Sequence, residues 1–238
     1  MMNDFITSIY KKKLGEMSET SGTRGTIDHV KVFQKVYETC DWGNNQESGY
    51  KGSSGCGSSI DFNKDTYVPF LQSFIKTNKI SSISDLGCGD FLCGKLIYGK
   101  LDSDSEMDYI QYNGYDAYGK LIEAHQQEYI NKKNYTFTQL DIFAQRDCIA
   151  HADLCIIKDV LQHWCLDDIY TFMDCIVNSK KFKFILICNC CNQTSDDTDI
   201  KTGGGRPLSC SFMPLLKYNP VKVLNYKSKE VSIIHCSV

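Results

Sequence analysis

The run Asp85-Leu86-Gly87-Cys88-Gly89-Asp90 sets two glycines between carboxylates, and no other stretch of the chain has as much capacity for chemistry. Glycines at a strand-to-helix turn let the backbone approach a ligand closely, and the helix that follows offers free N–H groups and a positive dipole end. A nucleotide-like ligand suits such a turn. The spacing narrows the choice: a dinucleotide fingerprint needs a third glycine, yet the sixth position counted from Gly87 is Leu92, and no Gly-Lys-Ser/Thr ending marks a phosphate loop. Two more carboxylates follow. Asp116, after Tyr115, can accept both hydroxyls of a ribose, and Asp141, between Leu140 and Ile142, can accept from the exocyclic amine of an adenine. Asp159 and His163 stand four residues apart, so a helix starting there puts both on one face. His163 is the candidate general base or acceptor-orienting group, with Asp159 beside it.

These groups act together only if regular elements gather them. From Asp65 onward Tyr67, Phe70, Leu71, Phe74 and Ile75 recur at helical spacing, with Pro69 in the first turn, and predict a helix ending near Asn78. Apolar runs of strand length then alternate with helix-length segments. Strands are expected at Ile80–Leu86, Tyr109–Tyr115, Tyr135–Leu140, Leu154–Lys158 and Lys183–Asn189, with helices near Phe91–Lys100, Gly119–Asn131 and Asp167–Ser179 and a helical turn near Gln145–Ile149. That alternation predicts an α/β fold whose parallel sheet is covered on both faces. Val221–Tyr226 and Glu230–Cys236, separated by Lys227, Ser228 and Lys229, read as an antiparallel hairpin. Asp85, Asp116 and Asp141 thereby fall at the carboxyl ends of three successive strands, where open α/β sheets bind their ligands.

The series D-L-G-C-G-D, Y-D-A, L-D-I and I-K-D-V-L-Q-H-W resembles, in order and in placement at strand ends, the motifs of class I S-adenosylmethionine-dependent methyltransferases. The resemblance covers roughly residues 42 to 238. It is closest to a subgroup from bacteria and large DNA viruses with a Ser-Gly-x-Gly-Ser segment, matched here by Ser54-Gly55-Cys56-Gly57-Ser58. The subgroup's later D-I-x-x-G and R-P-L stretches are matched by Asp199 to Gly203 and by Arg206-Pro207-Leu208. Phe91 stands where the family often has a glycine. The resemblance implies a Rossmann-like, seven-stranded, mostly parallel sheet in the order 3-2-1-4-5-7-6, over residues 66–238, with residues 1–65 as an N-terminal extension that covers the active site. It also implies S-adenosyl-L-methionine as cofactor: Asp85, Gly87, Cys88, Gly89 and Asp90 along its methionine and ribose, Asp116 on the ribose, and Asp141 and Ile142 on the adenine. The methyl group would point at the end of the fourth strand, at Lys158 and Asp159, with Ser54, Trp164 and Arg206 toward the acceptor. Methyl transfer is an in-line displacement, so the chain has chiefly to align the acceptor and, for a hydroxyl, take its proton.

Composition sets the outer bounds. Lys+Arg 26 against Asp+Glu 29 leaves a net charge of −3, which offers no broad basic surface for nucleic acid. A hydrophobic content of 42% with 23% charged residues is that of a folding globular chain. The 13 cysteines are odd in number and scattered through apolar stretches, and Met1 to Tyr10 has no signal-peptide pattern, so reduced thiols and a cytoplasmic location are expected. No apolar run approaches the ~20 residues of a membrane helix. Cys188, Cys190 and Cys191 have no second ligand pair at zinc spacing and read as strand residues, Cys88 and Cys93 as packing groups, and no metal is expected. Asp102 to Asp108 reads as a solvated acidic insertion. The connection from about Cys190 to Pro214, with Gly203-Gly204-Gly205 before Arg206, is long enough to suggest a substrate lid in which Arg206 holds an anionic or sugar group. Three functions stand side by side: O-methylation of a hydroxyl on a glycan or small molecule, N-methylation of a protein or small molecule, and a cofactor-binding module without catalysis. An NAD enzyme is disfavoured by Leu92. Oligomeric state is left open.

Overall fold

The structure is a computed structural model and describes residues 27–44, 50–102, 110–191 and 199–236. The acidic insertion, from residue 103, lies outside the described residues, as do residues 1–26. Helices α1 (His29–Glu38), α2 (Ile60–Asn63) and α3 (Tyr67–Thr77) lead into β1 (Ser82–Leu86), α4 (Leu92–Asp102), β2 (Gln111–Asp116), α5 (Gly119–Glu128) and β3 (Tyr135–Gln139). Then come β4 (Ala152–Lys158), α6 (Leu166–Asn178), β5 (Phe182–Cys190), β6 (Val221–Tyr226) and β7 (Lys229–His235). The described strands form one seven-stranded sheet in the order β3-β2-β1-β4-β5-β7-β6, as the resemblance implies. β1 to β5 pair in parallel, and β7 is antiparallel to both β5 and β6.

The pattern of side chains explains the layering. β4 and β5 carry unbroken apolar runs, Leu154 to Ile157 and Ile185 to Cys188, because central parallel strands are buried on both faces. Alternate residues feed two cores. Leu154, Ile156 and Leu186 join Leu71, Ile75 and Leu121 on one side, while Cys155, Ile157 and Ile187 join Ile169, Phe172 and Met173 on the other. In α6 the buried residues Ile169, Phe172, Met173 and Ile176 repeat at helical spacing, with Asp167 and Asp168 in the first turn where the helix dipole favours carboxylates. β6 is the exposed edge, with Val221 and Val223 open and a register shift between Lys222 and Leu224.

Expected boundaries hold to within a few residues, with two corrections. The hairpin turn is shorter than expected, since Lys229 already belongs to β7 and is buried there. After β4 no α-helix begins at Asp159. That residue has a left-handed backbone (φ 59), and only a short 3₁₀ turn, Leu161–His163, follows.

Candidate active site

The β1–α4 turn is fixed by hydrogen bonds to β2. The N–H groups of Gly87 and Cys88 both donate to the Tyr115 carbonyl, at 2.8 and 2.9 Å. Gly87 has φ +79, and a Cβ there would come within 2.4 Å of Val160 Cγ2. Gly89 has φ +54, and a Cβ there would meet Ser54 Oγ at 2.5 Å. These two glycines open a cradle that any larger residue would fill. Phe91 also adopts positive φ (57), and its ring packs among Tyr98, Tyr112 and Phe137. The strap formed by Ser54 to Ser58 closes over this turn. Ser54 N–H donates to both oxygens of Asp90 (3.0 and 3.1 Å), Asp90 N–H donates back to Ser54 Oγ (2.9 Å), and Tyr37 Oη lies 2.7 Å from the same hydroxyl.

The strand-end carboxylates converge on one cavity of about 310 Å³, which Asp85, Asp90, Asp116 and Asp141 all line. Asp116 accepts from the N–H groups of Gly89 (3.1 Å) and Tyr118 (3.0 Å), and Asp85 accepts from the Tyr112 hydroxyl (2.8 Å). Asp141 Oδ1 accepts from Phe143 and Ala144 N–H, both at 2.9 Å, which presents the side chain beside Ile142 at the rim. Burial pushes Asp85 up to about 6 against the opposing pull of the Tyr112 hydroxyl and Lys158, and burial likewise pushes Asp116 up to about 6 against its two backbone donors. A carboxyl whose folded-state pKa lies above its unfolded value favours the fold below the unfolded value of 3.8 and loses that contribution as pH rises through about 6. Asp85→Asn, whose amide oxygen can still accept from Tyr112, is therefore expected to melt close to the parent at pH 4 and above it at pH 8. The difference should grow through about pH 6 toward a ceiling on the order of 3 kcal/mol. Melting both proteins across this range checks it, and a gap that does not change with pH refutes it.

The other end of the cavity carries cations. Lys158 Nζ donates to Asp159 Oδ2 (2.7 Å) and to the Gly57 carbonyl (3.0 Å), while Lys229 Nζ donates to Asp159 Oδ1. Asp159 is half-buried, and its two ammonium partners outweigh the cost of desolvation and hold its carboxyl below the usual range. This corrects the expected Asp159–His163 pair. The left-handed turn sends Asp159 to the lysines, while His163 Nδ1 lies 2.6 Å from the Gly204 carbonyl and its ring lies 4.7 Å from that of Trp42. The bond to a carbonyl fixes the tautomer with the proton on Nδ1. Nε2 is then the acceptor, 3.2 Å from the Gln162 amide, whose own oxygen accepts from Cys190 N–H. Burial lowers the pKa of His163, so its ring is neutral at pH 7.

Of the expected acceptor contacts, Arg206 sits away from the cavity and Trp164 is buried in its wall. Arg206 is buried, donates to the Trp164 carbonyl (3.0 Å) and faces Asp199 (3.4 Å), and it does not line the cavity. It clasps the long connection onto the body, where Gly203 and Arg206 N–H also bond the carbonyls of His163 and Gln162. Trp164 borders the cavity but is only 1% exposed, wedged among His29, Phe143 and Phe172.

The expectation that residues 1–65 cover the active site names no residues of α1 or Trp42. His29, Phe33 and Tyr37 line the cavity from one face of α1, joined by Trp42. Their spacing of four residues behind the capping Asp28 was the available signal. His29 Nε2 pairs with Asp168 at 3.0 Å, and Thr202 donates to the same carboxylate at 2.8 Å, which ties α1 to the sheet domain. Lys229, which the sequence pattern assigns to the hairpin turn, also lines the cavity from β7.

No family model matches this chain, and no curated protein matches it. Solved structures do. Magnesium protoporphyrin IX methyltransferase from Synechocystis PCC 6803, with bound SAM, superposes with a TM-score of 0.57 at 14% identity, covering 90% of this chain and 100% of that one. N-methyltransferase NodS from Bradyrhizobium japonicum WM9, in complex with S-adenosyl-L-homocysteine, gives a TM-score of 0.55 at 12% identity over 76% of this chain and 91% of that one. The methyltransferase domain of bacterial CtHen1 gives 0.54 at 9% identity over 76% and 100%. At these identities the likeness is one of fold, and the fold is that of Rossmann-like methyltransferases.

Proposed function

We propose that this chain is an S-adenosyl-L-methionine-dependent methyltransferase that acts on a hydroxyl of a small molecule or glycan. One observation carries the reading. Four carboxylates and two cradle-forming glycines line the same cavity as His163, so a nucleoside site and a base share one space. The solved structures of the same fold with SAM or S-adenosylhomocysteine bound support the choice of nucleoside. The residues fit that cofactor: Asp116 for the ribose hydroxyls, Asp141 and Ile142 for the adenine, and Asp85, Asp90 and the turn for the charged methionine end. The Ser54–Ser58 strap, with its subgroup pattern, covers the turn.

When bound, the cofactor supplies an electrophilic methyl group on a sulfonium. The rest of the work falls to the chain. His163, neutral and with its Nδ1 proton given to Gly204, takes the acceptor proton on Nε2 in place of its contact with Gln162. Asp159, held ionised by two lysines, positions those lysines and is no proton acceptor at neutral pH. Helix α1 and Trp42 exclude water from the acceptor side.

Melting the protein with and without saturating S-adenosylmethionine is the primary test. A rise of several degrees is expected, and no rise overturns the reading. With methyl-labelled cofactor and a metabolite extract, His163→Ala is expected to lower label transfer by about 10²–10⁴-fold while leaving the cofactor-induced rise intact. Unchanged transfer would remove His163 from the chemistry.

A further inference from the structure

The acceptor end of the cavity holds one carboxylate between two ammonium groups, one buried and one half-buried. Lys158 and Lys229 both donate to Asp159, and all three side chains line the cavity. The Lys229 side chain is 2% exposed and the Lys158 side chain 14%. Withdrawing an ammonium group from water is unfavourable unless it is paired, and one carboxylate is a whole counter-ion for only one of them. The remaining contacts are neutral: the Gly57 carbonyl and Tyr67 ring for Lys158, the Cys190 sulfur at 3.5 Å and the Phe62 ring at 5.7 Å for Lys229. An ammonium has three donors, so each lysine keeps an N–H to give. Lys158 also acts on Asp85 and Asp90, which belong to the glycine turn, where the Tyr112 hydroxyl and the Ser54 N–H hold them.

Holding Asp159 in place needs one lysine, and its chain neighbour Lys158 already does so. The second comes from β7, 70 residues away. The strap gives it room, since a Cβ on Gly57 would come within 2.9 Å of Lys229 Nζ and 3.3 Å of Asp159 Oδ2. His163 lines the same cavity as Lys229 and Asp159, which act on its ring with opposite signs, so the cluster and the base face the same space.

We infer that Lys229 and Lys158 form an anion subsite, and that the methyl acceptor carries a carboxylate or phosphate group in addition to the hydroxyl presented to His163. This rests on the methyltransferase reading and narrows its acceptor to an anionic molecule. Lys229 is a specificity residue: the anion completes the neutralisation of the two ammonium groups and orients the acceptor by a charge-assisted hydrogen bond.

The test uses the full chain saturated with S-adenosylhomocysteine and three probes titrated by calorimetry and ligand-observed NMR: benzoate, its neutral isostere benzamide, and inorganic phosphate. Benzoate or phosphate is expected to bind at least about tenfold more tightly than benzamide, and whichever anion prevails tells a carboxylate acceptor from a phosphorylated one. Lys229→Met is expected to erase the preference and Lys229→Arg to keep most of it, with the affinity for S-adenosylhomocysteine within about threefold of the parent in both. Equal affinities of the parent for the charged and neutral probes overturn the subsite, and that comparison needs no variant to fold. A preference that survives in a folded Lys229→Met also overturns it. Failure of S-adenosylhomocysteine itself to bind is a separate result, which sinks the methyltransferase reading from which the acceptor was inferred.

Discussion

Asp116→Ala is expected to weaken binding of S-adenosylhomocysteine by about 10²-fold or more, the largest effect of any single change at the nucleoside end. A carboxylate that accepts two ribose hydroxyls makes two charge-assisted hydrogen bonds, each worth about 1.5–3 kcal/mol. The same side chain accepts from Gly89 and Tyr118 N–H, so its removal also strips the glycine turn of the group that sets its distance from β2. Asp116→Asn separates the two roles. Its single carbonyl oxygen can keep one backbone donor, and its amide hydrogens cannot accept from a ribose, so it should fold nearer the parent yet still bind weakly. Because burial pushes Asp116 up to about 6, the parent should bind more tightly as pH rises through about 6, and the Asn variant should show less of that gain. Isothermal titration at pH 5 and pH 8 gives all of these numbers. If Asp116→Ala binds within about threefold of the parent, the ribose belongs elsewhere.

How far the sequence allows such arguments depends on whether the partner of a residue is set by local periodicity. β4 and β5 were legible because an apolar run bounded by polar residues has few alternatives, and once the strands are placed, Asp85, Asp116 and Asp141 must fall at one edge of the sheet. The glycine turn was legible for the same reason. Asp159 and His163 were not, because spacing of four residues puts two groups together only inside a helix, and the left-handed residue at Asp159 separates them. Lys229 was hidden by its setting. Between two strands Lys-Ser-Lys reads as a solvated turn, and its partner is fixed only when β7 inserts between β5 and β6. Arg206 shows the opposite error: a guanidinium after a glycine run suggests an anion ligand, yet it is buried against the Trp164 carbonyl and Asp199 and helps to close the long connection.

Trp164→Ala is expected to be the most destabilising change in the molecule, and it decides whether this residue serves the acceptor or the fold. Its ring centroid lies 4.8 Å from His29, 5.0 Å from Phe172 and 5.7 Å from Phe143, so the indole joins α1, α6 and the segment after β3 at one point. Truncating a buried Trp costs about 3–5 kcal/mol, which in a chain of this size lowers the melting temperature by about 10 °C. The indole N–H is buried and makes no hydrogen bond among the described residues, so Trp164→Phe loses volume but no hydrogen bond and should recover much of the stability. A stabilising role predicts that affinity for S-adenosylhomocysteine follows the melting temperature across the two variants, because His29 and α1 lose their support together. A role in holding the acceptor predicts otherwise: both variants would melt within about 2 °C of the parent while methyl transfer fell. Differential scanning calorimetry beside the labelled-transfer assay tells these apart, and the packing around the ring makes the first result the expected one.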